Sequence, residues 1–296
     1  MNISIVIPLY NDEKNYKLFF DFNYYLIKSI NEKNEIILVD DTRNETFIYE
    51  IKKKYENVII VRHKENKGFS ISINDGVKKA SNEIVFLLNS DIKLTEEAIV
   101  NSIVHFDDEN IFAVSFKSVF TNGKIREGAK RLSWKTGLPF ILHSERDFPP
   151  KNSEGKIPSL YPVGGHCAIR KSMFTKLNGM DYKTFHPFYW EDTDLGVNAS
   201  KMGWETIYEP SAIVYHPPEN SSIKDNFKKN AISKIKFRNR VFFALKNYNS
   251  PYRKIMIRVG LTTRFIEKLF GFNNIKDSYK NTIELIKDYK DLIDTK

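Results

Sequence analysis

The sequence carries acidic side chains in three places where they could do chemistry. Leu87-Leu88-Asn89-Ser90-Asp91 ends an apolar run with polar and acidic residues, and Ile36-Ile37-Leu38-Val39-Asp40-Asp41 ends another in the same manner. A carboxylate at the end of a sheet strand can hold a divalent cation, because Mg²⁺ and similar ions use one or two protein carboxylates plus phosphate oxygens and water. At Asp40 such a group could instead accept hydrogen bonds from a base N–H or from ribose hydroxyls, while Asp41 could simply cap the following helix. The third place is Trp190-Glu191-Asp192-Thr193-Asp194-Leu195, three carboxylates at the start of a helical stretch. The helix dipole favours one or two acids there. Three beside an aromatic residue suit a general base with further groups that orient an acceptor. His216 ends the run Ala212-Ile213-Val214-Tyr215. It is either a hydrogen-bonded structural residue or a metal ligand, and Asp91, His216 and a diphosphate would together satisfy a divalent ion.

For these groups to meet, strand ends must share one rim, and the patterning provides the strands. Short β-rich runs at Ile3–Leu9, Glu35–Val39, Val58–Arg62 and Glu83–Leu88 alternate with helical stretches at Glu13–Ile30, Thr42–Tyr55, Phe69–Ala80 and Thr95–Phe106. That alternation implies βαβ crossovers and a largely parallel sheet, where ligands bind beyond the carboxyl ends of the strands. Thr95 followed by Glu96 and Glu97 reads as a helix N-cap with first-turn acids. A fifth strand, Ile111–Phe120, runs into Asn122-Gly123, a hairpin signal. Residues 123 to about 160, rich in Gly and Pro, read as a long irregular and functional insertion. A strand is expected at Pro162–Arg170, a short helix at Lys171–Asn178, a helix at Trp190–Met202 and a strand at Thr206–His216. From Ser221 onward the pattern is helical, basic and amphipathic, with a break near Tyr248–Tyr252. The division expected is 1–220 for the catalytic domain and 221–296 for a helical extension.

Bulk properties bound the classes. The 296 residues are 41% apolar and 28% charged, ordinary for a folded soluble chain, and no run approaches a bilayer span. The N-terminus lacks the features of a signal peptide, and Cys167 is the only cysteine, so a reducing cytoplasm is expected. The net charge of +9 concentrates after residue 223. It is either a solvated basic face or a contact to an anionic membrane surface; a nucleic-acid partner is not expected. The sequence has no G-x-G-x-x-G after the first strand, no Walker A loop and no G-x-S-x-G elbow. Nicotinamide redox chemistry, P-loop phosphoryl transfer and α/β-hydrolase chemistry are therefore disfavoured.

Six segments in order resemble glycosyltransferase family 2. They are Val6-Ile7-Pro8-Leu9-Tyr10-Asn11, Leu38-Val39-Asp40-Asp41, Asn66-Lys67-Gly68-Phe69 with Asn74, Leu88-Asn89-Ser90-Asp91, Gly164-Gly165 through Arg170, and Trp190 through Leu195. The rhamnosyltransferase-like branch is the most similar, since it often has Asn in place of the first Asp of a D-x-D motif. The resemblance covers about residues 1 to 217. It implies an α/β, A-type glycosyltransferase fold, Rossmann-like, with a mostly parallel central sheet flanked by helices and a C-terminal helical extension. It also implies a metal-dependent inverting hexosyl transfer from a UDP- or dTDP-sugar to a glycan or lipid-linked acceptor, in surface polysaccharide biosynthesis. Pro8, Tyr10 and Asp40 would line the base pocket; Asn66, Lys67, Gly68 and Asn74 would border the nucleotide; Asn89 would lie near the ribose. Asp91 and His216 would hold Mn²⁺ or Mg²⁺. Asp192 would be the base, with Glu191 and Asp194 supporting it or contacting the acceptor, and His166 is a further candidate for acceptor contact. The expected location is cytoplasmic or peripheral on the inner membrane face. A catalytically inert nucleotide-sugar-binding scaffold with the same fold is the alternative. A nucleotidyltransferase would need a Gly- and Arg-rich loop after the first strand, which Pro8-Leu9-Tyr10-Asn11 does not supply.

Overall fold

The computed structural model describes residues 1–10, 13–42, 45–135, 137–143, 155–217 and 228–269. Its main sheet has the strand order β3-β2-β1-β4-β10-β5-β11-β9, with β6 added to β5. The front half is the expected set of crossovers: β1 (Ile3–Leu9), β2 (Glu35–Asp40), β3 (Val58–Arg62) and β4 (Ile84–Leu88) are all parallel. Helices α1 (Glu13–Ile30), α2 (Glu45–Lys54), α3 (Phe69–Lys79) and α4 (Glu96–Ile103) flank them. Thr95 caps α4, its hydroxyl accepting from Ala98 N.

Alternation along β1 explains the two-sided core. Ile3, Ile5, Ile7 and Leu9 join Phe20, Ile27, Phe47, Ile48 and Ile99 on one face, whereas Val6 joins Val39, Ile73, Val77 and Leu195 on the other. Successive side chains of a strand point to opposite faces, so one apolar strand feeds both helical layers.

The sheet then becomes mixed. β10 (His166–Arg170) inserts antiparallel between β4 and β5 (Ile111–Val119), and β11 (Glu205–Tyr215) runs parallel to β5. The start of β10 and the ends of β4 and β11 therefore share one rim. Asn122-Gly123 makes the expected turn, with Gly123 at φ 79° and β6 (Ile125–Glu127) pairing back on β5. Helix α5 (Lys171–Lys176) follows β10, α6 (Tyr182–Phe185) is a single turn, and α7 (Glu191–Lys201) starts at the acidic cluster.

The insertion is more ordered than its composition implies. β7 (Lys130–Lys135) and β8 (Leu138–His143) form an antiparallel hairpin, and β9 (Ile157–Pro158) pairs with β11. Leu132, Trp134 and Leu138 supply an apolar side that gives the hairpin a partner. That partner is the C-terminal pair α8 (Lys229–Asn247) and α9 (Pro251–Leu269), with the break at residues 248–250. Leu138, Phe185 and Val197 pack with Val241, Phe242, Phe243, Ile257 and Leu261 in a third apolar cluster. Gly137, at φ +74°, lies so close to α9 that a Cβ there would sit 1.8 Å from Met256 O. Only glycine permits both that backbone conformation and that approach. The strand expected at Pro162–Arg170 is confined to its second half, because Pro162–Gly165 are irregular. The helical expectation for residues 221–227 lies outside the described residues, as does that for 270–296.

Candidate active site

Strand ends supply the donor side of the rim. Asp40, fully buried, accepts from Thr42 N and Thr42 Oγ1 at 2.9 and 2.6 Å, and its Oδ2 lies 3.3 Å from Arg62 Nε. Asp41 is engaged with the loop that follows β3. Its Oδ1 accepts from Lys67 N at 2.8 Å, its Oδ2 from Gly68 N at 2.9 Å, and Oδ1 also lies 2.8 Å from His63 Nδ1. One carboxylate thus shapes the loop that presents Asn66, Lys67 and Gly68, with Asn66 and Lys67 exposed. Pro8 and Tyr10 are half-buried beside it, at the end of β1. Asn74 is committed elsewhere: its amide donates to Met180 O at 3.0 Å and accepts from Met180 N at 2.9 Å. It clamps α3 to the segment after α5 rather than offering a free group to a nucleotide.

Asn89 follows β4 and packs on Gly165, where an added Cβ would sit 2.4 Å from Asn89 Nδ2. Two residues on, buried Asp91 faces His216, with Oδ2 and Nε2 3.0 Å apart. Paired backbone hydrogen bonds between Lys93 and Tyr215 hold the two segments side by side. Asp91 Oδ1 and His216 Nδ1 are buried and have no hydrogen-bond partner among the described residues. Buried polar atoms ordinarily find a partner, and those that do not are often where a ligand or ion belongs. Oδ2 and Nε2 are hydrogen-bonded to each other, and their separation is also the one that two adjacent ligands, each about 2.1 Å from an octahedral ion, would have. Among the described residues no group of three His, Cys, Asp or Glu side chains converges. Asp91 and His216 would therefore hold a divalent ion with ligand phosphates and water completing its shell, a pattern usual for Mg²⁺.

The other side of the rim starts at α7. Tyr189 and Trp190 have φ of 73° and 79°, left-handed conformations costing about 1–3 kcal/mol each for residues with side chains. The turn aims Glu191 and Asp192 inward at the helix start. Asp192 Oδ1 accepts from Thr193 N at 2.7 Å. Burial raises the Asp192 carboxyl to about 6, against the Thr193 amide and with Glu127 adding to the rise. Burial, then the Asp192 charge, pushes Glu191 well above the usual carboxylate range, and its Oε2 has no hydrogen-bond partner. Asp194 faces away: it accepts from Lys246 Nζ and Asn247 Nδ2, each at 2.6 Å, and so ties α7 to α8.

The insertion contributes groups that sequence patterning did not single out. Lys130, fully buried on the hairpin, lies 3.3 Å from Glu127 Oε2 and 2.9 Å from His143 Nδ1. Burial would raise the Glu127 carboxyl, but Lys130, by its charge and its hydrogen bond, leads the groups that bring it down to about 2. Burial, first, lowers His166 to about 3, so it is a neutral imidazole. Its Nε2 is 3.7 Å from Glu127 and its ring 6.3 Å from that of His216. Arg126 donates to the carbonyls of His216 and Pro217 and feels the Asp91 charge. A buried Lys beside a Glu was the one available signal, and it needed the hairpin register to be read.

Comparison with known proteins shows the family and the fold. Residues 4–177 match the profile of glycosyl transferase family 2. The chain is 34% identical over 240 residues to a poly(ribitol-phosphate) beta-glucosyltransferase of Bacillus spizizenii, covering 74% of this chain and 35% of that protein. Over 72 residues it is 42% identical to an N-acetylglucosaminyl-diphospho-decaprenol L-rhamnosyltransferase of Mycobacterium tuberculosis, 23% of each chain. The fold is similar to that of GalNAc-T7 solved with UDP, GalNAc and Mn²⁺, with a TM-score of 0.65 at 15% identity over 86% of this chain and 49% of that one. The chain thus spans about half or less of the length of these proteins.

Proposed function

Because the chain belongs to glycosyl transferase family 2, we propose that it is a metal-dependent, inverting transferase using a UDP- or dTDP-sugar. The observation that carries this reading is one rim bearing both halves of the chemistry. Asp91 and His216 leave buried atoms unpaired on the donor side, and Glu191 and Asp192 stand on the acceptor side with raised proton affinity. Asp192 would accept the acceptor hydroxyl proton as that oxygen bonds to the anomeric carbon. The bond from that carbon to the diphosphate breaks, and its electron pair leaves with the phosphate oxygen. Displacement from the opposite face inverts the centre, and no covalent enzyme intermediate is required. A bound divalent ion supplies Lewis-acid stabilisation of the leaving diphosphate. Glu191, whose proton affinity burial raises, stands beside Asp192 as a group that could orient the acceptor, and Arg126 adds positive charge near Asp91.

The acceptor proposed is a glycan or lipid-linked sugar of a surface polymer. The glucosyl- and rhamnosyltransferase relatives support that class, and Asn89 is the residue that favours the rhamnosyl branch. The cytoplasmic membrane face is the proposed location. Tyr252, Ile255 and Val259 form an exposed stripe on α9 beside Lys254 and Arg258, an amphipathic basic surface suited to anionic lipid. Among the described residues no helix is long and apolar enough to cross a membrane. The test is sugar transfer by purified protein with Mn²⁺ or with EDTA, beside Asp192→Asn. Undiminished transfer by that variant would remove the base assignment; nucleotide binding without transfer to any acceptor in a broad panel would favour the inert scaffold.

A further inference from the structure

Helix α8 makes an unusual set of contacts for a C-terminal appendage. Asn239 is fully buried, and the two hydrogens of its Nδ2 are shared among three carbonyls: Phe185 O at 2.7 Å, Phe188 O at 2.9 Å and Tyr189 O at 3.0 Å. Its Oδ1 accepts from Arg238 Nε at 2.9 Å, and Arg238 Nη2 donates to His186 O. Residues 186–189 lie between α6 and α7, so their carbonyls belong to neither helix and need donors from outside. One amide and its neighbour supply them. The segment ends in the left-handed pair Tyr189–Trp190, immediately before Glu191 and Asp192. Two such residues in succession persist only where surrounding structure over-determines them. A second anchor acts one turn into α7, where Lys246 and Asn247 bind Asp194, and Lys246 also bridges to Asp181 at 2.8 Å. Trp190 packs on Phe243 of α8 at 4.9 Å between ring centroids.

We infer that Asn239 is a positioning residue of the transferase site, holding the left-handed Tyr189–Trp190 turn that fixes where the Glu191 and Asp192 carboxylates stand. The inference rests on the transferase reading for its kinetic part and on geometry alone for its structural part. It gives α8 a role in catalysis distinct from any membrane contact. Donor binding draws chiefly on Asp40, at the end of β2, and Asp91, just after β4, both away from the turn, although a Cβ at Gly68 would lie 3.7 Å from His186 and from Pro187 O; the change in donor affinity should therefore be small beside the change in kcat.

The test is Asn239→Ala in the full chain, with Asn247→Ala as the variant acting from the second anchor should the first fail to fold. Three quantities are read: amide hydrogen exchange across residues 186–195 and 84–92, affinity for the nucleoside diphosphate with Mn²⁺, and kcat and KM for transfer. The expected result is faster exchange confined to 186–195, donor affinity within about threefold of wild type, and kcat lower by on the order of 10- to 100-fold, the loss a misplaced catalytic group brings. Unchanged exchange at 186–195 overturns the inference, as does an unchanged kcat with the turn loosened. Equal losses of donor affinity, exchange protection everywhere and kcat also overturn it, since they mark a general folding role. If the wild type transfers no sugar, the transferase reading fails while the exchange data still decide whether Asn239 holds the turn.

Discussion

Asp91 Oδ2 and His216 Nε2 lie 3.0 Å apart although 125 positions of sequence separate them. Nothing local brings them together. β4 and β11 deliver them to one rim, and the Lys93–Tyr215 bridge sets their spacing. With UDP present, Mn²⁺ should raise the melting temperature of the wild type over the EDTA control, since a ligand at 100 times its Kd stabilises by about 2.7 kcal/mol. Asp91→Ala and His216→Ala should each abolish that difference. A full Mn²⁺ response in Asp91→Ala would show that the ion binds elsewhere.

With Asp192 as the proposed base, a carboxyl raised to about 6 should give transfer an acidic limb. The rate should rise with pH through about 6, where the buried acid pair loses its proton. Asp192→Asn should lower kcat by roughly 10²–10⁴ and remove that limb. Stability carries the opposite sign. The folded carboxyl titrates above its unfolded value of 3.8, so the folded state binds more protons between about pH 4 and 6. Wild type should therefore lose stability relative to Asp192→Asn as pH rises through that window; a flat difference in denaturant titrations would contradict the burial argument.

Glu127 raises the proton affinity of Asp192 by its charge. Glu127→Gln should shift the acidic limb to lower pH. It should also destabilise the fold by about 1–3 kcal/mol near neutral pH, because it deprives buried Lys130 of its charged partner. The stabilising contribution of Glu127, with its carboxyl at about 2 against 4.5 unfolded, is present above about pH 4.5 and is lost as pH falls towards 2. An unmoved limb in the pH–rate profile would remove the coupling.

How far the chain could be read before its structure depended on whether a signal was local. The four parallel strands, the Thr95 cap and the Asn122-Gly123 turn rest on adjacent residues and were legible. The ordering of the insertion was not, since Leu132, Trp134 and Leu138 look like stray apolar residues until α8 and α9 cover them. The acidic cluster was legible as a site but not in its division of labour. Residues two apart on a helix are about 200° apart around it, so Asp192 and Asp194 cannot face the same ligand. Asn74 likewise matches a motif by position while spending its amide on Met180. Asn239 offered no signal at all, being one asparagine within a basic helix.

Gly165 packs on Asn89 with no room for a methyl group. Gly165→Ala should cost about 1–3 kcal/mol of stability by overpacking and raise the donor KM. Adding Asn89→Ala to it should recover most of the stability but not the KM. Additive losses in the double mutant would mean that the two positions are uncoupled.

The α9 stripe predicts lipid binding that truncation cannot test, because removing the helices would expose Leu138, Phe185 and Val197, worth about 1.5–3 kcal/mol each in burial. Ile255→Glu with Val259→Glu leaves the buried face intact. Sedimentation with anionic vesicles should fall for this variant and weaken with salt for the wild type. Equal sedimentation of the variant would discard the membrane contact.

The contact between Gly137 and Met256 also has a meaning in time. During synthesis the acidic turn at residues 189–192 leaves the ribosome well before Asn239, Lys246 and the α9 backbone that closes on the hairpin. A nascent chain can complete the strands that would hold a nucleotide while its base still lacks a fixed position. On the function proposed above, competence to transfer is the later acquisition, because Asn239 and Lys246 follow in the chain the strands that carry Asp40 and Asp91.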